Sequence, residues 1–139
     1  DMADLSVTAT SVVPVESEVT KQEYIFGETV TAGQSVYVDT ANNNVIKKAQ
    51  ADGTALEATV RGIALNGGAA GQPGVVAVGG KLNPGATVAV GEVYILSATA
   101  GGICPAADLT SSSYCSIIGV GTDTDEITLS IFNSGVEKP

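Results

Sequence analysis

The chain has no histidine and no tryptophan among its 139 residues, and it has only four tyrosines and two phenylalanines. Without histidine, a Ser–His catalytic pair, histidine-based acid–base catalysis and a histidine-ligated metal are all excluded. The shortage of aromatic rings also disfavours a carbohydrate-binding surface, because such surfaces usually present exposed rings to the sugars. The sequence therefore predicts a protein that is not an enzyme.

Basic residues are equally scarce. Six Lys plus Arg stand against fifteen Asp plus Glu, which gives a net charge of −9. Binding to phosphate groups needs clustered cations, so we expect neither nucleic acid nor an anionic membrane surface as a partner. No stretch approaches the roughly 18 apolar residues of a membrane span, and no secretion signal is recognisable. Met2 resembles a natural start, and we expect a soluble protein made inside a cell.

The two cysteines, Cys104 and Cys115, are too few for a disulfide scaffold or a four-cysteine zinc site. We expect them on adjacent strands that flank the loop at residues 108–113, close enough to bond if oxidised. In a reducing cytoplasm they would remain free thiols.

The most informative pattern in the chain is a repetition. Residues 27–37 (GETVTAGQSVY) return as residues 85–94 (GATVAVGEVY), and residues 60–64 (VRGIA) return as residues 117–121 (IIGVG). Both pairs recur at about 57 residues, which indicates one duplicated unit. We predict that the copies cover roughly residues 24–75 and 82–132 of a single β domain at residues 24–139.

Short apolar runs separated by turn residues predict an all-β fold, either a small barrel or a sandwich. Asn42, Asn43 and Asn44 indicate a hairpin turn before Val45. We predict a strand over residues 75–78 that ends at the Gly79-Gly80 pair. Further strands are expected over residues 60–65, 116–120 and 127–132, and Thr54 with Glu57 predicts one capped helical turn.

Residues 1–23 precede the duplication and are predicted to be an extended N-terminal arm. Residues 5–10 alternate between apolar and polar types, as a half-buried strand does, and Pro14 restricts the segment to an edge position. An apolar arm in water is a liability, so we expect it to contact a partner molecule. The predicted contact residues are Leu5, Val7, Ala9, Val12, Val13 and Val15.

Three groups of residues invite a chemical interpretation. The carboxylates at residues 123–126 lack the spacing of a calcium loop, and an acidic turn explains them. The Gly79-Gly80-Lys81 segment lacks the remaining residues of a phosphate-binding loop. The serines at residues 111–113 have no base to activate them. We therefore predict no catalytic residue, no cofactor and no metal.

The chain resembles the capsid decoration, or cement, proteins of tailed phages. The most specific likeness lies in residues 62–66 (GIALN) and 70–73 (AGQP). Weaker likeness lies in residues 2–14 and 27–37, in Arg61 and Ala69 beside these two segments, and from residues 93–97 on to 119–121, so that the resemblance extends over nearly the whole chain. Cys104 and Cys115 depart from the family's pattern.

This resemblance implies a β-rich structural protein of the virion, commonly a homotrimer. It would be made in the host cytoplasm, bind the major capsid protein on the outer surface of an icosahedral head and stabilise the shell. The alternative is a non-catalytic β-rich binding module, such as a tail-fibre or carbohydrate-binding domain.

Overall fold

A computed structural model describes residues 4–139, and within this range the chain is nearly all β with no α-helix. Ten strands form one antiparallel sheet. The strands are β1 (Val12–Pro14), β2 (Thr20–Ile25), β3 (Ser35–Asp39), β4 (Val45–Lys48), β5 (Gly62–Ala64), β6 (Pro73–Pro84), β7 (Val93–Leu96), β8 (Ile103–Pro105), β9 (Tyr114–Asp123) and β10 (Glu126–Glu137). Two single 3-10 turns, Ala9–Ser11 and Ala106–Asp108, complete the regular structure of these residues.

The sheet is bent into a half-barrel. Its hydrogen-bonded strand order is β4-β3-β5-β6-β10-β9-β7-β8, and both β1 and β2 pair with β6 off this path. Phe26, which follows β2, forms a bridge with Ile46 of β4. This bridge brings β2 beside one end of the strand path, so the first four strands of the path and β2 nearly enclose a common interior.

Local turn chemistry explains two of the hairpins. Asn43 and Asn44 both adopt a φ of 58°, a left-handed conformation that asparagine tolerates, and they reverse the chain between β3 and β4. The carboxylate-rich residues 123–126 lie at the reversal between β9 and β10. The predicted hairpin and the predicted acidic turn are both confirmed.

Strand β6 differs from the prediction. The expected strand over residues 75–78 was to end at Gly79-Gly80, but β6 continues through both glycines to Pro84. Gly80 has a φ of +83°, and a side chain there would collide with the carbonyl oxygen of Glu18. The strand therefore changes partners at the glycines without ending: Gly79 is the last residue of β6 that pairs with β2, and Gly80 is the first that pairs with β10.

The apolar interior consists of two clusters. The smaller cluster surrounds Phe26 and contains Val36 and Ile46 of neighbouring strands. The larger cluster joins residues from both ends of the strand path, including Tyr37 of β3 and Tyr94 of β7. Because successive residues of a strand point to opposite faces, Val36 and Tyr37 of β3 serve different clusters.

The predicted arrangement of the two cysteines is wrong. Cys104 lies on β8 and Cys115 lies on β9, and β7 runs between these two strands. Neighbouring strands are about 4.8 Å apart, so two strand spacings exceed the Cα separation of about 4.4–6.8 Å that a disulfide needs. Both cysteines are free.

Two expected boundaries fall inside strands. The limit between arm and core at residues 23 and 24 lies within β2, and the end of the first copy at residue 75 lies within β6. Strand β6 lies between β5 of the first half of the strand path and β10 of the second half. The division into an arm and two copies stays a prediction.

Candidate binding surface along the N-terminal arm

The N-terminal arm lies along the edge of its own sheet. The backbone N–H of Leu5 donates to the carbonyl oxygen of Ile103 in β8 at 2.8 Å, and that of Thr8 donates to the carbonyl oxygen of Gly85 at 2.8 Å. Strand β1 then pairs with the end of β6. The arm thus connects the β8 end of the strand path to the middle of the sheet, and it covers a strand edge that would otherwise be open.

The six predicted contact residues differ in exposure. Ala9 and Val13 are exposed, and 56% of the Val13 side chain is accessible to solvent. The other four are half-buried: Leu5, Val7, Val12 and Val15. Leu5 and Val12 pack against the larger apolar cluster. The structure therefore brings part of the set against the chain itself and leaves Ala9 and Val13 available to a partner.

A glycine makes room for the arm. Gly33 adopts a φ of +92°, and a side chain at this position would collide with the methyl groups of Val7 and Val12. The same glycine lies in the middle of the first repeated segment, residues 27–37, in the turn before β3. A cavity of about 220 Å³ lies between the arm and this turn, with Gln34 and Ile103 among its lining residues. The arm consequently rests on a groove that it does not fill.

The beginning of the described arm is held by a carboxylate. The hydroxyl of Ser97 donates to the Asp4 carboxylate at 2.6 Å, beside a cavity of about 180 Å³ that Cys104 and Asp108 also line. Burial, and to a lesser extent the charges of Asp4 and Asp108, raise the pKa of the Cys104 thiol to about 12. Cys104 is thus a protonated, unreactive thiol at neutral pH.

The segment that carries the most specific family resemblance forms one hydrogen-bonded loop. The side-chain oxygen of Asn66 accepts from the backbone N–H of Val75 at 2.6 Å, and the side-chain oxygen of Gln72 accepts from that of Ala69 at 2.6 Å. The backbone N–H of Phe26 donates to the carbonyl oxygen of Gln72, and the N–H of Gly71 donates to the carbonyl oxygen of Phe26. The two amide side chains therefore shape a loop that surrounds the ring of Phe26.

An exposed aromatic residue was not among the sequence-predicted contact residues. Phe132 on β10 is 61% exposed, and Val136 on the same strand is 64% exposed. The signal was present in the sequence, because Ile127, Leu129 and Ile131 alternate toward the core and so direct Phe132 to the opposite face. These two residues give the sheet an apolar surface away from the arm.

Residues 4–139 contain no group of three or more metal-binding side chains that is arranged to hold an ion. Over the same range, no helix has the length and hydrophobicity needed to cross a lipid bilayer. In comparisons with known proteins, neither a family model nor a curated protein sequence matches the chain.

Proposed function

We propose that this chain is a structural protein of a phage virion that binds the outer surface of an icosahedral head and stabilises the shell. The observation that carries the proposal is the resemblance of nearly the whole chain to capsid decoration proteins, above all in residues 62–66 and 70–73. Two amide side chains within these segments, those of Asn66 and Gln72, accept backbone hydrogen bonds that shape the loop around Phe26. The likeness therefore includes residues on which the local structure depends.

The partner in this proposal is the major capsid protein, and the arm is the proposed contact. Of its two exposed positions, Ala9 lies in the 3-10 turn before β1 and Val13 lies on β1, which pairs only with the end of β6. Val15, which follows β1, donates its backbone N–H to the carbonyl oxygen of Lys81 in β6 at 3.0 Å. An edge strand can pair with an extended segment of another protein through its backbone and its outward side chains. The arm would thus bind the capsid while its half-buried residues remain on its own sheet.

We also propose that the two halves of the sheet are copies of one unit. The strand order assigns β4, β3, β5 and β6 to positions that mirror those of β8, β7, β9 and β10. Gly33 donates to the carbonyl oxygen of Ala64 at 2.8 Å, and Gly91 donates to that of Gly121 at 2.7 Å. Both glycines have a positive φ, of 92° and 84°. Equivalent turns at equivalent places support a duplication.

A carbohydrate-binding module is the weaker candidate. Of the six aromatic residues, Phe26, Tyr37 and Tyr94 are buried, and Tyr24 and Tyr114 are half-buried. Only Phe132 is exposed, and one ring is a small platform for a sugar chain. A tail-fibre module would need no such platform, and the experiment below distinguishes it from a head protein.

The proposal is tested by co-sedimentation with expanded, undecorated heads built from the capsid protein encoded in the same phage genome. We expect saturable binding to expanded heads and none to isolated tails. Unexpanded heads serve as a matched control, because decoration proteins act after maturation. Absence of binding to expanded heads, or equal binding to tails, would contradict the proposed function.

A further inference from the structure

Arg61 is the only arginine of the chain, and its side chain is held in one place on the surface. Its Nε–H donates to the Tyr24 hydroxyl at 2.8 Å, and one terminal nitrogen donates to the side-chain oxygen of Gln22. The Tyr24 hydroxyl donates to the same oxygen at 2.7 Å. Both partners lie on β2, whereas Arg61 directly precedes β5, and β6 runs between these two strands. The guanidinium group therefore has a fixed orientation before any partner binds.

Part of this guanidinium group remains available to a partner. Its N–H donors form a planar fork, and Tyr24 and Gln22 occupy the Nε and one terminal nitrogen. The other terminal nitrogen has no hydrogen-bond acceptor among residues 4–139. The ion pairs of that range are Lys21–Glu16 and Lys47–Asp39, so Arg61 belongs to neither. Although the chain has fifteen Asp plus Glu, none of those described neutralises its only arginine.

Arg61 lines a groove of about 230 Å³ in which it is the only charged residue. The other lining residues are Val38, Thr40, Leu56, Thr59, Val60 and Asn133. The Thr59 hydroxyl donates to the carbonyl oxygen of Ala55 at 2.9 Å, and the Asn133 amide is bonded to the Val60 backbone. Leu56 is 38% exposed, although it is a large apolar residue. The groove therefore offers a partner an apolar wall beside a positive charge.

The acidic residues next to these positions in the sequence bind elsewhere or point away. Asp39 pairs with Lys47 at 2.9 Å, and Glu57 accepts the backbone N–H of Thr54 at 2.8 Å. Glu23 lies between Gln22 and Tyr24 on β2, and adjacent residues of a strand point to opposite faces. The chain's own carboxylates thus leave the charge at this groove unpaired over the residues that the structure describes.

We propose that this groove binds a carboxylate side chain of the capsid partner, and that the apolar wall at Leu56 receives the side chain beside it. Charge complementarity selects this occupant, because an arginine fork matches the two oxygens of a carboxylate and repels a cation. The fixed orientation of Arg61 reduces the entropy lost on binding. The proposal rests on the proposed function for the identity of the partner, and it adds a contact separate from the arm.

The groove is tested first without phage heads, with two peptide probes. N-acetyl-Leu-Glu amide carries a carboxylate beside an apolar side chain, and N-acetyl-Leu-Gln amide is its uncharged control. Because the chain has a single arginine, the Nε–H of Arg61 gives one signal in a nitrogen–proton correlation spectrum of the full chain. We expect millimolar acidic peptide to shift this signal and the uncharged peptide to leave it in place.

The second test measures affinity for expanded heads by co-sedimentation. Arg61→Gln removes the charged fork and should weaken binding about tenfold, as the loss of a charge-assisted hydrogen bond does. Arg61→Lys retains the charge without the fork and should weaken binding less. Lys138→Gln is the matched control, because it removes the same charge from a side chain that donates to the carbonyl oxygen of Leu109 outside the groove. It should bind like the unmodified chain, and circular dichroism establishes that each variant is folded.

Equal responses of the Arg61 signal to the two peptides, or no response to either, would overturn this proposal. Head binding by Arg61→Gln that equals that of Lys138→Gln would also overturn it, and the proposed function would then stand without this groove. If the signal responds only to the acidic peptide but the chain does not bind heads, the carboxylate site stands and the proposed function fails.

Discussion

The side chain of Asn133 binds the backbone of Val60 through two hydrogen bonds. The Val60 N–H donates to Asn133 Oδ1 at 2.8 Å, and Asn133 Nδ2 donates to the Val60 carbonyl oxygen at 3.1 Å. Val60 is 3% exposed, so both of its backbone groups depend on this side chain. One amide thereby joins the segment before β5 to β10, which is 73 residues farther along the chain.

Replacing Asn133 should therefore destabilise the fold. Asn133→Ala leaves a buried donor and a buried acceptor without partners, and we expect it to lower the free energy of unfolding by about 1–3 kcal/mol. Urea denaturation measures the change. Asn42→Ala is the matched control, because Asn42 is exposed in the β3–β4 turn, and it should change stability by at most about 0.5 kcal/mol. Equal effects of the two substitutions would refute the role given to Asn133.

Gly62 is required because β5 approaches β6 closely. A methyl group at Gly62 would collide with the carbonyl oxygen of Ala77 and with the side chain of Val76. We expect Gly62→Ala to destabilise the protein by about 1–3 kcal/mol through overpacking. Gly79→Ala on β6 is the control, since its nearest neighbour would be Thr20 Cβ at 3.7 Å, an ordinary contact. A lower melting temperature for Gly79→Ala than for Gly62→Ala would contradict the close approach of β5 to β6.

The Cys104 thiol should make the stability depend on pH in the alkaline range. Burial raises the pKa of this thiol from 9.0 to about 12 in the folded chain, so the folded state holds the proton after the unfolded state has released it. The resulting stabilisation is present below pH 9.0 and decreases as the pH rises toward about 12. Cys104→Ala should reduce the slope of unfolding free energy against pH above 9.0 relative to the unmodified chain. Identical slopes for the unmodified chain and Cys104→Ala would disprove the assignment.

Substitutions of half-buried and of exposed arm residues should differ in their effects on stability and on binding to phage heads. Leu5→Ala removes a half-buried side chain from the larger cluster and should lower stability by about 1–3 kcal/mol. Val13→Ser changes an exposed side chain and should alter stability by at most about 0.5 kcal/mol. We expect Val13→Ser nevertheless to weaken co-sedimentation with expanded heads. Unaltered binding by Val13→Ser and by a chain that lacks residues 2–15 would remove the arm from the proposed mechanism.

Features that depend on neighbouring residues could be predicted from the sequence. The turn at Asn43 and Asn44 follows from their tolerance of positive φ. The capped turn is also confirmed, because the Thr54 N–H donates to Glu57 at 2.8 Å and the Glu57 N–H donates to Thr54 Oγ1 at 3.3 Å. In both cases the deciding interactions span only three or four residues.

Features that depend on distant strands could not be predicted in this way. Gly79 and Gly80 have the composition of a turn, but pairing with β2 and β10 extends β6 through them. Cys104 and Cys115 are near each other in sequence, yet β7 separates their strands. The exposed position of Phe132 could be read from the alternation of β10, while its alignment with Ile117, Ile95 and Cys104 required the strand order.

The central claim is that this chain stabilises a phage head, and the thermal disruption of expanded heads tests it most directly. Heads are heated with and without saturating protein, and release of the capsid protein is followed by light scattering. The proposed function predicts a higher disruption temperature for heads with bound protein, and a smaller increase with the Val13→Ser variant. Bound protein that leaves the disruption temperature unchanged would contradict the claim.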